Sequence, residues 1–183
     1  MLDFTDEELI GEIRDGSSVA FERLMQRYER LVFKVALGFT GDPDSALDVS
    51  QNVFVRVHAK LGTWRGEGEL ANWIARMTMN EALNWKRGEK RHRAAGLDDE
   101  PIGGPPAQED GLRRQETRRI VQRSLDSLNP KQRLAVVLRY FDDRPIHDIA
   151  AALECSDGVA KNVLFRSLKH MRASIEASTE VRR

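Results

Sequence analysis

Pro145-Ile146-His147-Asp148-Ile149-Ala150-Ala151-Ala152-Leu153, then Glu154-Cys155-Ser156, then Asp157 to Arg172, is the stretch that decides the fold. Ile146, Ile149, Ala150 and Leu153 recur at helical spacing, and Ser156 is a residue type that caps a following helix by accepting a bond from a free first-turn amide. Two short helices joined by a three-residue turn form the unit that lays its second helix in a DNA major groove. The stretch therefore predicts a helix-turn-helix and contact with DNA.

Working outward, the segments on either side read as helices too. Leu112 to Leu128 and Pro130 to Phe141 are amphipathic, and Asn129-Pro130 fits a cap followed by proline at the first helical position, where its missing N–H costs nothing. Before them, Ala94 to Gly111 holds Gly96, Pro101, Gly103, Gly104, Pro105 and Pro106 among acidic residues and has no apolar period, the composition of a flexible linker. Further upstream, Phe21, Leu24, Met25, Tyr28, Leu31, Val32, Val35 and Phe39 step by three and four, giving a long helix that Gly41-Asp42-Pro43 ends. Asp44 is expected to cap the next helix, with Ala46, Val49, Val53, Val57 and Leu61 on its apolar face. After a glycine-rich loop at 62–68, a third helix runs through Leu70, Trp73, Ile74 and Met77 to about Lys90, and Thr5 to Asp15 reads as a short leading helix. No strand pattern competes. The expectation is an all-α chain of two small helical domains, residues 1–93 and 112–183, joined by a linker at 94–111.

Charge sharpens this picture. The 183 residues carry 29 Lys+Arg and 29 Asp+Glu, a formal net charge of zero. The distribution is uneven: residues 1–90 hold 12 cations against 15 anions, residues 91–111 hold 2 against 5, and residues 112–183 hold 15 against 9. Within the first part, Arg76, Lys86, Arg87, Lys90, Arg91 and Arg93 cluster, opposed only by Glu81 and Glu89. Two separate basic surfaces predict two contacts with a polyanion. No run of about 18 apolar residues is present to cross a membrane, and Asp3, Asp6, Glu7 and Glu8 reverse the charge of a signal-peptide start, so a cytoplasmic protein is expected. The single cysteine, Cys155, forms no internal disulfide and reads as a small buried residue, and four scattered histidines lack ligand spacing. No metal, cofactor or catalytic constellation is expected.

The order of the pieces resembles the extracytoplasmic-function (ECF) group of sigma-70-type transcription initiation factors over nearly the whole chain. The densest match runs Asp44-Ser45-Ala46-Leu47-Asp48-Val49-Ser50-Gln51-Asn52-Val53-Phe54-Val55-Arg56-Val57, then Leu61-Gly62-Thr63-Trp64-Arg65-Gly66-Glu67 and Asn72-Trp73-Ile74-Ala75-Arg76-Met77. It is similar to the family's second conserved region, in which an Asp-x-x-Gln helix docks on RNA polymerase and the following loop and helix handle the minus-10 promoter element. The resemblance thus implies polymerase binding by Asp48, Gln51, Asn52 and Arg56. For the minus-10 element it implies a base pocket from Trp64, Arg65, Gly66, Glu67, Asn72 and Trp73, with Asn80, Asn84, Lys86 and Arg87 downstream. Leu125 to Arg133 and Leu138 to Phe141 resemble the start of the fourth region, whose helix-turn-helix reads the minus-35 element.

On the reading helix, Ala160, Leu164, Ser167 and Met171 form the inward stripe at about 100° per residue, with Lys161, Asn162, Phe165, Lys169 and Arg172 opposite and Arg166 at the margin. Ser156, Lys161, Asn162, Phe165, Arg166 and Lys169 are therefore the candidate minus-35 contacts, since Lys and Arg hold phosphate or guanine and Asn pairs with adenine. Five positions depart from the family pattern: Asn52 replaces a usual Glu, Asn84 often corresponds to Asp, Glu154 stands where Gly is common, and Val163 and Leu168 replace cations. The resemblance also implies an inhibitory partner, an anti-sigma factor or similar protein. A stand-alone helix-turn-helix regulator is the alternative, but it leaves the first 93 residues without a purpose.

Overall fold

The computed structural model describes residues 4–64, 66, 68–94 and 109–180. These residues form eight α-helices and one 3-10 turn, with no strand among them. In the N-terminal half, α1 (Asp6–Arg14), α2 (Ser18–Thr40), α3 (Pro43–Lys60) and α4 (Leu70–Ala94) pack around α2. In the C-terminal half, α5 (Glu109–Asp126), α6 (Pro130–Tyr140) and α7 (Ile146–Leu153) pack against α8 (Asp157–Glu180).

The helix boundaries follow from local chemistry. Thr5 and Glu8 form a reciprocal capping box at α1, and Ser17 caps α2 through Ala20 N at 3.2 Å. Gly41 closes α2 in the left-handed region, φ 81°, where a side chain would be strained. The cap of α3 is Asp42, not Asp44: its carboxylate accepts from Ser45 N at 2.8 Å, and Pro43 takes the first helical position, pushing the start one residue past Asp42. Asn129 and Gln132 box α6 in the same reciprocal way.

Of the expected linker, residues 95–108 lie outside the described residues. Its ends do not: Ala94 closes α4, and Glu109 to Gly111 already belong to α5. Leu24, Leu31, Val32, Val35 and Phe39 of α2 are buried against Val49, Val53 and Val57 of α3 and Ile74 of α4. In the C-terminal half the same continuous cluster gathers Leu125, Leu134, Val137, Leu138, Ile149, Leu153, Ala160 and Leu164. Each part of it is built by the apolar faces whose period marks the helices.

The two halves also pack on each other, through α2 against α5 and α6 and α4 against α7. At the centre, Gly38 of α2 has no room for a Cβ, which would lie 2.4 Å from a Val137 methyl. Beside it Arg133 of α6, only 4% exposed, donates Nε–H to the Gly38 carbonyl at 2.7 Å and lies over the Phe39 ring at 4.9 Å. A picture of two bodies held together by the linker alone is therefore incomplete; in this arrangement they share an interface.

Candidate nucleic-acid and polymerase interfaces

The outer face of α3 carries the first set of expected residues. Asp48, Gln51 and Asn52 are exposed as their polar character requires, while Arg56 turns toward α4 and pairs with Glu81 at 2.7 Å. Between them stand two residues that the sequence reading missed, Leu47 at 52% and Val55 at 70% exposure. Leu47, Gln51 and Val55 are four apart and so share one face, and that spacing was the available signal. They border a shallow, almost wholly apolar groove with Phe21, Met25 and Phe54. An apolar strip flanked by Asp48, Gln51 and Asn52 has the make-up of a protein-docking surface, an oily centre with a polar edge.

The loop and start of α4 carry the second set. Arg65 and Glu67 lie outside the described residues, and Gly66 is exposed with φ 77°. Trp64 departs from expectation. The resemblance implies a ring in the base pocket; instead Trp64 is 9% exposed and joins the core, and its backbone carbonyl accepts from Arg14 Nη2 of α1 at 3.0 Å. Its indole Nε1 is buried without a partner, a donor left over from that packing. Asn72 is also buried, at 6%, and Trp73 is half-buried against the core. All three are thus drawn toward the core, and for Trp64 the tie to α1 is the Arg14 bond. Further along α4, Asn80 and Asn84 are exposed, Arg87 donates to Asn84 Oδ1 at 3.0 Å, and Lys86 reaches Asp126 of the other half at 2.5 Å.

The helix-turn-helix is as the sequence predicts. Ile149, Ala150, Ala152 and Leu153 are buried on α7. Glu154 makes the turn at φ 57° and ψ 51°, so the position that favours glycine is held by a residue with a Cβ. Cys155 is half-buried behind it. Ser156 immediately precedes α8, and its carbonyl accepts from Ala160 N at 2.9 Å. On α8, Ala160, Leu164 and Ser167 are buried and Met171 is half-buried, while Lys161, Asn162, Phe165, Arg166 and Lys169 are all exposed. Phe165 projects with 69% of its surface free. Cations, an amide and an aromatic ring on one exposed face can meet phosphates and base edges in a groove.

Charge crosses the junction of the halves. The Asp126 carboxylate lies 2.5 Å from Lys86 Nζ and 2.6 Å from Arg133 Nη1. Partial burial opposes its ionisation, but the Lys86 bond and the Arg133 charge outweigh that and hold it below the usual carboxylate range. Burial lowers the Arg133 pKa, with Asp126 working in the other direction.

The Sigma-70 region 2 model matches residues 24–92, and the Sigma-70, region 4 model matches residues 118–171. The chain belongs to the ECF group of the sigma-70 family. The region 2 match spans α3, the loop and α4, and the region 4 match spans the helix-turn-helix, so the family's two conserved regions hold both sets of surface residues. An ECF RNA polymerase sigma-E factor of Escherichia coli is 27% identical over 174 residues, covering 89% of this sigma factor and 90% of that one. The fold is that of CnrH solved with the cytosolic domain of CnrY, at 20% identity and a TM-score of 0.67, covering 92% and 96% of the two chains. It is also that of the sigma factor RpoE solved with the anti-sigma factor NepR from Bartonella quintana, at 22% identity and a TM-score of 0.59, covering 85% and 96%. No described helix of this sigma factor is long and apolar enough to cross a membrane.

Proposed function

We propose that this chain is an alternative sigma factor that binds core RNA polymerase in the cytoplasm, directs it to a bipartite promoter and helps to melt the minus-10 element, catalysing no reaction itself. The observation that carries this reading is the presence of both conserved regions in one chain, in order. A stand-alone helix-turn-helix regulator has no use for the first of them.

Within this reading, Asp48, Gln51 and Asn52 with Leu47 and Val55 form the polymerase-docking face, and Arg56 steadies it through Glu81. Asn80, Asn84, Lys86 and Arg87 meet the minus-10 element on one side of α4. Arg65, Gly66, Glu67, Asn72 and Trp73 are the residues of the base pocket, with Trp64 as its packed neighbour in sequence. On α8, Lys161, Arg166 and Lys169 hold phosphate or guanine, Asn162 and Phe165 read base edges, and Ser156 sits at the helix start where amides face phosphate. The division into residues 1–93 and 112–183 follows these two tasks. An inhibitory protein partner fits the reading as well, since the RpoE named above was solved with an anti-sigma factor.

Tagged chain should retain core polymerase from a lysate of its own host, and the retained enzyme should initiate at promoters that core alone does not use. Retention of no polymerase subunit would overturn the reading.

A further inference from the structure

Two neighbouring residues at the start of α8 serve no purpose inside the fold. Gly158 lies in the first turn, and a Cβ built on it would meet no atom within 4 Å. Its φ is not positive, so neither crowding nor backbone conformation calls for glycine there. Glycine inside a helix weakens it relative to alanine. Val159 beside it is 50% exposed, and a β-branched side chain is a poor helix former, so neither packing nor propensity calls for valine. The fold does explain Asp157, the first residue of that turn, because a carboxylate suits the partial positive charge of a helix N-terminus.

An external partner explains both. A helix that enters a major groove touches base edges with its N-terminal residues, and glycine is the residue that lets a backbone come close to a ligand. Val159, Asn162, Val163 and Arg166 stand at steps of three and four and so share one face. On that face Val159, Asn162 and Arg166 are exposed, with Val163 half-buried beside them. From Val159 to Asn162 the helix rises about 4.5 Å, close to the step of about 3.4 Å between base pairs. Asparagine and arginine find hydrogen-bonding partners on adenine and guanine. For an aliphatic side chain the matching feature in the major groove is the 5-methyl group of thymine.

We infer that Val159 reads the methyl group of a thymine in the upstream promoter element, at the base pair next to the one that Asn162 meets, and that the bare Gly158 lets the start of α8 seat close enough for this contact. Val159 is thereby a specificity-determining residue that selects thymine by its methyl group and not by a hydrogen bond. Phe165, further along on the other flank of Asn162, is the competing apolar side chain on this helix. The inference rests on the reading that α8 enters the groove of the minus-35 element.

Core polymerase of the native host, loaded with the full chain, is used to select from duplexes randomised across the upstream element. Each thymine of the selected element is then replaced in turn by deoxyuridine, which keeps every hydrogen bond and lacks only the methyl group. One such replacement should lower the affinity about fourfold, the worth of one buried methyl group. With Val159→Ala that duplex and its thymine parent should bind equally, because the side chain that met the methyl is gone. Alanine is the best helix former, so this variant keeps α8. Gly158→Ala should raise the thermal stability of the chain, since the helix gains and no atom is crowded. The same change should lower affinity for the selected duplex about fivefold or more, because its Cβ meets DNA.

Unchanged affinity on every deoxyuridine duplex, or a selected element without thymine, would overturn the inference and leave the groove reading in place. A deoxyuridine loss that survives Val159→Ala would overturn it as well; if Phe165→Ala abolishes that loss instead, the methyl contact belongs to the other flank. Full affinity of Gly158→Ala would overturn the close approach. Enrichment of no upstream element at all would overturn the underlying reading that α8 enters the groove, and the inference with it.

Discussion

Glu154 carries the clearest local strain in the described chain. At φ 57° its Cβ crowds the following carbonyl, a cost of about 1 to 2 kcal/mol for a residue other than glycine. Its contact with Arg76 is long, and its side chain is 67% exposed, so it returns little. Replacing Glu154 by Gly removes the strain but adds about 0.5 to 1 kcal/mol of unfolded-state freedom. The expected net gain is about 0.5 to 1 kcal/mol in urea unfolding; a loss would mean that the turn is not strained. Two other residues set pH limits. Tyr28 is raised above the usual phenol range, by burial first and then by the bond to Asp6, so its contribution is whole below about pH 10 and is lost as pH rises through the folded value. Tyr28→Phe should flatten that alkaline loss in thermal melts. Asp126 behaves oppositely: its folded pKa is depressed, so its contribution is present above about pH 3.9 and lost as pH falls through the lowered value.

Among the elements, α3 and α8 carry the functional argument. Asp48→Ala with Gln51→Ala should weaken core polymerase binding at least tenfold without changing helical circular dichroism, because both side chains are exposed and a charge-assisted interface bond is worth roughly 1.5 to 3 kcal/mol. Unchanged affinity in a pull-down titration would remove this face from the docking surface. The elements were legible because a helix advertises its inward stripe: Ala160, Leu164 and Ser167 are read from spacing alone and are buried. Caps were legible where the residue type and the proline agreed, as at Asn129-Pro130. They were misread at Asp42, where a second acid, Asp44, lies two residues on. Trp64 was misread for a different reason. Whether a loop aromatic faces water depends on what closes over it, here α1 from some 50 residues away, and no local pattern encodes that.

At the scale of the whole molecule, the junction of the halves was the least legible feature. Arg133 sits in Asn129-Pro130-Lys131-Gln132-Arg133, and an arginine in the first turn of a helix is mostly exposed. It is instead buried, because its partners are the Gly38 carbonyl, 95 residues distant, and Asp126 on the preceding helix. A buried guanidinium so paired is costly to disturb from one side only. Arg133→Ala should therefore leave Asp126 less constrained and open the halves, seen as a larger radius of gyration by small-angle scattering. An unchanged radius would show that apolar contact at Gly38 and Val137 suffices to hold them.

One chain both grips polymerase and chooses the promoter. Run-off transcription on genomic DNA of the native host, with purified core polymerase and this chain, tests it most directly. New start sites should appear that depend on the chain and share two upstream elements, and they should be lost with Asp48→Ala plus Gln51→Ala. Start sites identical to those of core polymerase alone would contradict it.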